Sequence, residues 1–244
     1  MNIDEPFGTA PAPDSVPAPA LPSRRRMIAA AFGLALVAGT VSACGTSSSA
    51  SSASAGSGSG FVVDSSPSSL FDGIQLTRPF AKPDITLTDA SDKSFNLVQG
   101  TQGKLTLVYF GYTHCPDVCP TTMATLAAAM RSLTPAQAAQ IDVVFISTDP
   151  HRDTPAVLHT WLGQYDPAFI GLTGDFTTIQ KAAASLGITI DPPVKLPDGN
   201  YTVTHGAEVF AFDAKDKGYL VYTAGTTVPQ FQHDIPLLLA GRDA

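Results

Sequence analysis

The chain has 244 residues, with 14 Lys and Arg against 21 Asp and Glu and a net charge of −7. Outside one short N-terminal run there is no basic cluster, which argues against nucleic acid as a partner and leaves an acidic surface suited to a basic protein. Three cysteines are present, Cys44, Cys115 and Cys119, too few for a disulfide framework.

From the N-terminus, Ser23-Arg24-Arg25-Arg26 precedes the apolar run Met27–Ala38. A basic stretch before an apolar one of this length reads as an export signal; it is short for a membrane span, an uncleaved anchor being the alternative. The Arg pair before an Ala/Gly-rich run resembles a twin-arginine signal. Val41-Ser42-Ala43-Cys44 resembles a bacterial lipobox. This implies that residues 1–43 are a signal peptide, that Cys44 becomes the lipidated first residue, and that the protein stands lipid-anchored on the outer face of the bacterial cytoplasmic membrane. Residues 45–60 contain only Gly, Ser, Ala and Thr, so 44–60 reads as a flexible tether. With Cys44 assigned to lipid, Cys115 and Cys119 remain as a pair in an oxidising compartment.

Residues 61–244 suit one domain with a sizeable core. Ile85–Thr88 and Ser94–Leu97 predict a hairpin across Asp89–Asp92. Leu105–Tyr112 is nearly continuous in apolar residues, as in a strand buried on both faces. Thr122–Leu133 predicts a helix with Pro120 just ahead of it, and Ile141–Ile146 a second buried strand. Asp153-Thr154-Pro155 predicts a capped helix start running to about Tyr165. A further helix spans Phe176–Leu186. Glu208–Phe212 and Tyr219–Tyr222 predict a late hairpin, and Val228–Leu239 a terminal helix with Pro236 inside it, a reason for a kink or a late start. The order is hairpin, β, α, β, α, α, β, β, α, an α/β class with a parallel pair. It resembles a thioredoxin-like fold with an N-terminal β-hairpin extension.

Cys115 and Cys119 lie between the first central strand and its helix, where open α/β sheets place their sites. The spacing is C-x-x-x-C, stiffened by Pro116 and Pro120. Two such thiols can form a disulfide or hold a soft metal; so short a disulfide loop gains little chain entropy, which favours a functional reading. Cys119, next to the predicted helix, is expected to be the ionised thiol. Met123 reads as core packing. Five histidines are available, His114, His151, His159, His205 and His233, and spacing alone does not choose among them.

GYTHCPDVCPTT at 111–122 resembles the copper-site motif of the Sco/SenC family, copper-delivery proteins with a thioredoxin-like fold. Phe145–Pro155, Gly171–Gly174 and Tyr201–His205 match further stretches in order, so the resemblance covers about 75–241. It implies copper ligands at Cys115, Cys119 and His205, with Asp149 an acidic residue just outside them. Thr204 stands where the family often has Asp. Two thiolates and one imidazole suit Cu(I) and can also hold Cu(II), whereas cysteine zinc sites usually close with four protein ligands.

The resemblance implies a monomeric copper metallochaperone. Its acceptor would be the binuclear copper centre of cytochrome c oxidase subunit II, or another extracytoplasmic copper acceptor. A thiol–disulfide oxidoreductase that reduces the acceptor's cysteines would use the same pair. A peroxiredoxin is disfavoured, because those enzymes place Thr three residues before the cysteine and Pro116 stands there.

Overall fold

The computed structural model describes residues 70–197 and 199–241; the export segment, Cys44 and the tether through residue 60 lie outside the described residues. The first element is a strand that the sequence pattern conceals, β1 (Ile74–Ala81), with Leu76 its only buried residue. Pro79 falls within it, which an edge strand tolerates. Next, β2 (Thr86–Asp89) and β3 (Ser94–Asn96) pair as the expected hairpin. Leu97 does not extend β3 but opens a short helix, α1 (Leu97–Gly100), capped by the Asn96 side chain.

The centre of the chain follows the expected alternation with corrected ends. β4 (Leu105–Gly111) is buried at every position. α2 (Val118–Arg131) starts four residues ahead of Thr122 and takes in Pro120 at its third position, because first-turn N–H groups have no intrahelical partner for proline to remove. A short α3 (Pro135–Ala138) leads into β5 (Ile141–Ser147). α4 (Pro155–Leu162) is capped by Thr154 rather than Asp153. β6 (Ile170–Thr173) is a strand the sequence reading lacked, and α5 (Phe176–Ser185) follows as expected. Two-residue strands β7 (Val194–Lys195) and β8 (Tyr201–Thr202) form a separate small hairpin. β9 (Val209–Phe212), β10 (Lys217–Tyr222) and α6 (Val228–Leu239) complete the chain, α6 running through Pro236.

The eight-stranded sheet has the order β1-β10-β9-β4-β5-β6-β2-β3. β4, β5 and β6 are parallel, and β9, β10 and β1 extend the sheet antiparallel on one side. Successive side chains of a strand point to opposite faces, and β4 divides its residues accordingly. Leu105, Leu107 and Tyr109 pack with Met123 and Leu126 of α2, Leu158 of α4 and Phe231 of α6. Val108 and Phe110 pack with Leu97 of α1 and Ile179 and Ala183 of α5. Burying each such side chain is worth about 1.5–3 kcal/mol, so β4 is firmly held on both faces, and it ends at the cysteine loop. At the other end of β4, Lys82 is buried: its ammonium donates to Thr101 (2.8 Å) and Thr106 (3.0 Å) and pairs with Asp216 (2.7 Å).

Candidate metal centre

Cys119 is the second residue of α2 and is fully buried. Its sulfur accepts the Tyr109 hydroxyl at 3.4 Å. Gly111 lies directly against it: a Cβ there would stand 2.7 Å from the Tyr109 ring, 2.8 Å from Cys119 Sγ and 3.0 Å from the Phe145 ring. The glycine is therefore required by space.

Cys115 lies two residues before Asp117, the N-cap of α2, whose own side chain makes no capping bond. The Cys115 sulfur accepts the Cys119 N–H at 3.5 Å instead. This reverses the expected division of thiol character. Burial opposes ionisation of Cys115, but the N–H groups of Cys119, Asp117 and Val118 outweigh it and hold the thiol below its ordinary range. At Cys119 burial dominates, reinforced by the neighbouring Cys115, and pushes the thiol up to about 12. The helix terminus acts as anticipated, on the other cysteine.

His205 approaches both sulfurs from the segment after β8. Its Nε2 lies 3.7 Å from Cys115 Sγ and its Nδ1 3.9 Å from Cys119 Sγ. Nδ1 is also 2.5 Å from the Gly206 carbonyl oxygen. A carbonyl only accepts, so Nδ1 is the nitrogen that donates to it, and Nε2 is the one turned to Cys115. The Tyr112 ring meets the imidazole at 5.3 Å between centroids. One donor atom from each of Cys115, Cys119 and His205 falls within 4.8 Å of the others. Bonds of about 2.3 Å to sulfur and about 2.0 Å to nitrogen meeting at a trigonal angle place their donors about 3.7 Å apart. The Cys115–His205 separation of 3.7 Å has that size.

Asp149 and Asp153, both buried, sit on the loop between β5 and α4 and brace the centre from two sides. Asp149 accepts the Tyr201 hydroxyl at 2.8 Å and the Arg152 guanidinium, which lies 4.2 Å over the Tyr201 ring. Tyr201, four residues before His205, has its phenol pushed up to about 12 by burial and then by its bond to Asp149 and that charge, which keeps it a donor. Asp149 thus bears on the segment carrying His205 without bonding any of the three donor side chains. Asp153 accepts Thr113 N–H (3.0 Å), the Thr113 hydroxyl (2.6 Å) and the Ser147 hydroxyl (2.7 Å), which ties down the cysteine loop. Thr204 accepts the Asp191 N–H at 2.6 Å and donates to the Asp191 carbonyl at 3.3 Å, joining the two ends of the β7–β8 excursion.

Among the described residues the cysteines and His205 form one cluster, and His114, His151, His159 and His233 stand outside it. His114 is exposed and bonds Thr113, and His151 meets the Tyr201 ring. Met123 is fully buried in the core, as expected. Sequence reasoning missed Tyr109, Tyr112, Tyr201 and the bracing role of Asp153. The one available signal was two aspartates in a short loop after a buried strand.

A family model described as SCO1/SenC matches residues 76–239. The SCO2-like protein of Rickettsia felis is 36% identical over 143 residues, covering 55% of this chain and 65% of its own. The mitochondrial protein SCO2 of Saccharomyces cerevisiae is 31% identical over 151 residues, covering 62% and 48% respectively. The chain thus spans about half to two thirds of those relatives' lengths. The structure of copper-bound ScoI of Bradyrhizobium japonicum is similar at 34% identity and a TM-score of 0.57, over 66% of this chain and 97% of that one. Apo Sco1 of Thermus thermophilus is similar at 31% identity and a TM-score of 0.62, over 69% and 96%. The thioredoxin-like fold expected from the sequence is the fold of these structures. With the motif, the fold and the family model in agreement over this region, the chain belongs to the SCO1/SenC family.

Proposed function

We propose that this protein is a copper metallochaperone that holds its cargo through Cys115, Cys119 and His205. The observation that carries this reading is the convergence of two sulfurs and one imidazole, with Nδ1 engaged by the Gly206 carbonyl and Nε2 turned to Cys115, at the end of a fully buried strand. The donor set is soft enough for Cu(I), and its one nitrogen also serves Cu(II). Copper-bound ScoI among the similar structures supports the choice of metal.

Each residue has a distinct part. Cys119 and Tyr109 form the rigid floor. Cys115, at the rim with 8% exposure, is the sulfur an incoming acceptor reaches first. His205 is carried on a segment held by Asp149 and Thr204. Cargo would pass by ligand exchange, each acceptor thiolate displacing one of these donors in turn. By family resemblance the acceptor is the binuclear copper centre of cytochrome c oxidase subunit II. A lipid at Cys44 and the tether would let the domain reach a membrane-bound partner from the outer face of the cytoplasmic membrane.

A second reading is favoured by one observation, the unequal thiols. A Cys115 thiol held below its ordinary range at the rim, beside a buried Cys119 pushed up to about 12, is the arrangement of an attacking and a resolving thiol. Cys115 thiolate would attack an acceptor disulfide, Cys119 would release it, and the pair would leave oxidised until an external dithiol reduced it. His205 separates the two uses.

The test is a Cu(I) and Cu(II) titration of the reduced protein. One tight equivalent is expected, with sulfur-to-Cu(II) charge-transfer absorption that is abolished in Cys115→Ser and severely weakened in His205→Ala. Unchanged copper binding by His205→Ala would reject the assigned donor set. Rapid copper-independent disulfide reduction by that variant would favour the oxidoreductase reading.

A further inference from the structure

A second cluster of donor groups lies where β1 begins and α6 passes behind it. Asp72 stands ahead of β1, and His233 and Asp234 lie in α6; one donor atom from each falls within 4.8 Å of the others. His233 Nδ1 is 2.7 Å from Asp234 Oδ1 and 3.6 Å from Asp72 Oδ2. Asp234 is buried, and its carboxylate is aimed by two backbone donors: Asp72 N–H on Oδ1 and Gly73 N–H on Oδ2, both at 2.9 Å. Oδ1 thereby keeps one lone pair, the one now facing His233.

An independent feature points into the same place. Tyr222 is 1% exposed and packs on Phe231 at 4.4 Å between ring centroids, and its hydroxyl has no hydrogen-bond partner of proper geometry. Asp234 is the carboxylate it approaches without completing a hydrogen bond of proper geometry: after burial, the charge of Asp234 and a side-chain hydrogen bond toward it, then the charge of Asp72, raise its pKa. A buried hydroxyl without a partner is costly. A carboxylate turned by a bound ion, or a water on that ion, would supply the missing partner.

We propose that Asp72, His233 and Asp234 form a second cation site, distinct from the thiol–imidazole centre, for a divalent ion of the zinc class. One imidazole nitrogen and two carboxylate oxygens suit Zn2+, and they are too hard a set for Cu(I). Bonds of about 2.0–2.1 Å place neighbouring donors from about 2.8 to about 3.7 Å apart as the angle between them opens from about 90° to about 120°. The observed 2.7 and 3.6 Å lie close to the two ends of that range. Binding takes the place of the proton between Nδ1 and Asp234: a neutral imidazole moves that proton to Nε2, and an imidazolium releases it to solvent. An ion held here cross-links the first strand to the last helix.

The test uses the full chain carrying Cys115→Ser, Cys119→Ser and His205→Ala, which removes the first centre and makes the outcome independent of the copper reading. Zn2+ alone is titrated in competition with a chromophoric chelator, and melting is followed with and without the ion. One equivalent bound and a raised Tm are expected. In that background, His233→Ala and Asp72→Asn, both at exposed positions, are each expected to weaken binding at least tenfold with unchanged circular dichroism. Absence of Zn2+ binding, or binding undiminished by His233→Ala and Asp72→Asn, overturns the proposal.

Discussion

Replacing Gly111 by Ala tests how closely the fold and the metal centre share atoms. The added methyl would meet the Tyr109 ring at 2.7 Å, Cys119 Sγ at 2.8 Å and the Phe145 ring at 3.0 Å. Ordinary contacts are about 3.5–4.0 Å, so each neighbour must yield by roughly 0.5–1 Å. All three are fully buried, and Cys119 is further held by Tyr109. Overpacking of this kind costs about 1–3 kcal/mol, or a Tm lower by roughly 3–10 °C in a domain of this size. Displacing Sγ by a comparable amount disturbs the grouping of the three donor atoms within 4.8 Å of one another, and a loss of about 10–100-fold in Cu(I) affinity is expected. The assay pairs thermal melts with competition against a chromophoric Cu(I) chelator. Gly103→Ala is the control: Gly103 has φ +76° with nothing within 4 Å of an added Cβ, and it lies before the opposite end of β4. It should cost about 1 kcal/mol through backbone strain and leave copper affinity unchanged. Wild-type melting and wild-type affinity in Gly111→Ala would refute the reasoning.

Three further outcomes follow from the same geometry. At pH 8 a thiol with a pKa of about 12 is only about 0.01% ionised, so iodoacetamide should modify Cys115 first, by about tenfold or more. Labelling of Cys115 should already be fast near neutral pH, and equal labelling of the two thiols would contradict the assignment. Tyr201→Phe removes the hydroxyl bond to Asp149 and leaves a buried carboxylate oxygen short of a donor, a cost of about 1–3 kcal/mol. Copper affinity should fall by about tenfold while Cys115 labelling stays unchanged; unchanged affinity would show that Asp149 does not hold the histidine segment. Lys82→Ala strips Asp216, Thr101 and Thr106 of their common partner. It should destabilise the domain by about 2–3 kcal/mol in urea unfolding, less than the roughly 3–5 kcal/mol of a fully buried broken pair because Asp216 is 30% exposed. Its copper affinity should match wild type.

The elements legible in the sequence are those whose burial is uniform or whose caps are strong. β4 and β5 stand out because both faces of the sheet are covered, so nearly every residue is apolar. β1 does not, since an edge strand with one buried residue and a proline carries no alternation, and its pairing with β10 is decided by tertiary contact. β6 is four residues long and contains Gly171, which strand propensity alone disfavours; an added Cβ there would meet Leu162 at 2.7 Å. Proline marks helix starts only loosely, which is why α2 begins ahead of its expected position. The cysteines were legible as a pair, but not which of them would ionise. That depends on where the first-turn N–H groups point and how deep each sulfur lies, and both are set in three dimensions. His205 came only from the family motif, because ninety residues of chain separate it from Cys115. Asp149 was expected near the centre from the family motif alone, and its partners Tyr201 and Arg152 could not be named without the loop's path.

Copper X-ray absorption on the Cu(I)-loaded protein tests the central claim most directly. A shell of two sulfur scatterers and one imidazole nitrogen is expected, with the nitrogen lost in His205→Ala and one sulfur lost in Cys119→Ser. A shell of nitrogen and oxygen alone, or a sulfur-only shell that His205→Ala leaves unaltered, would contradict it.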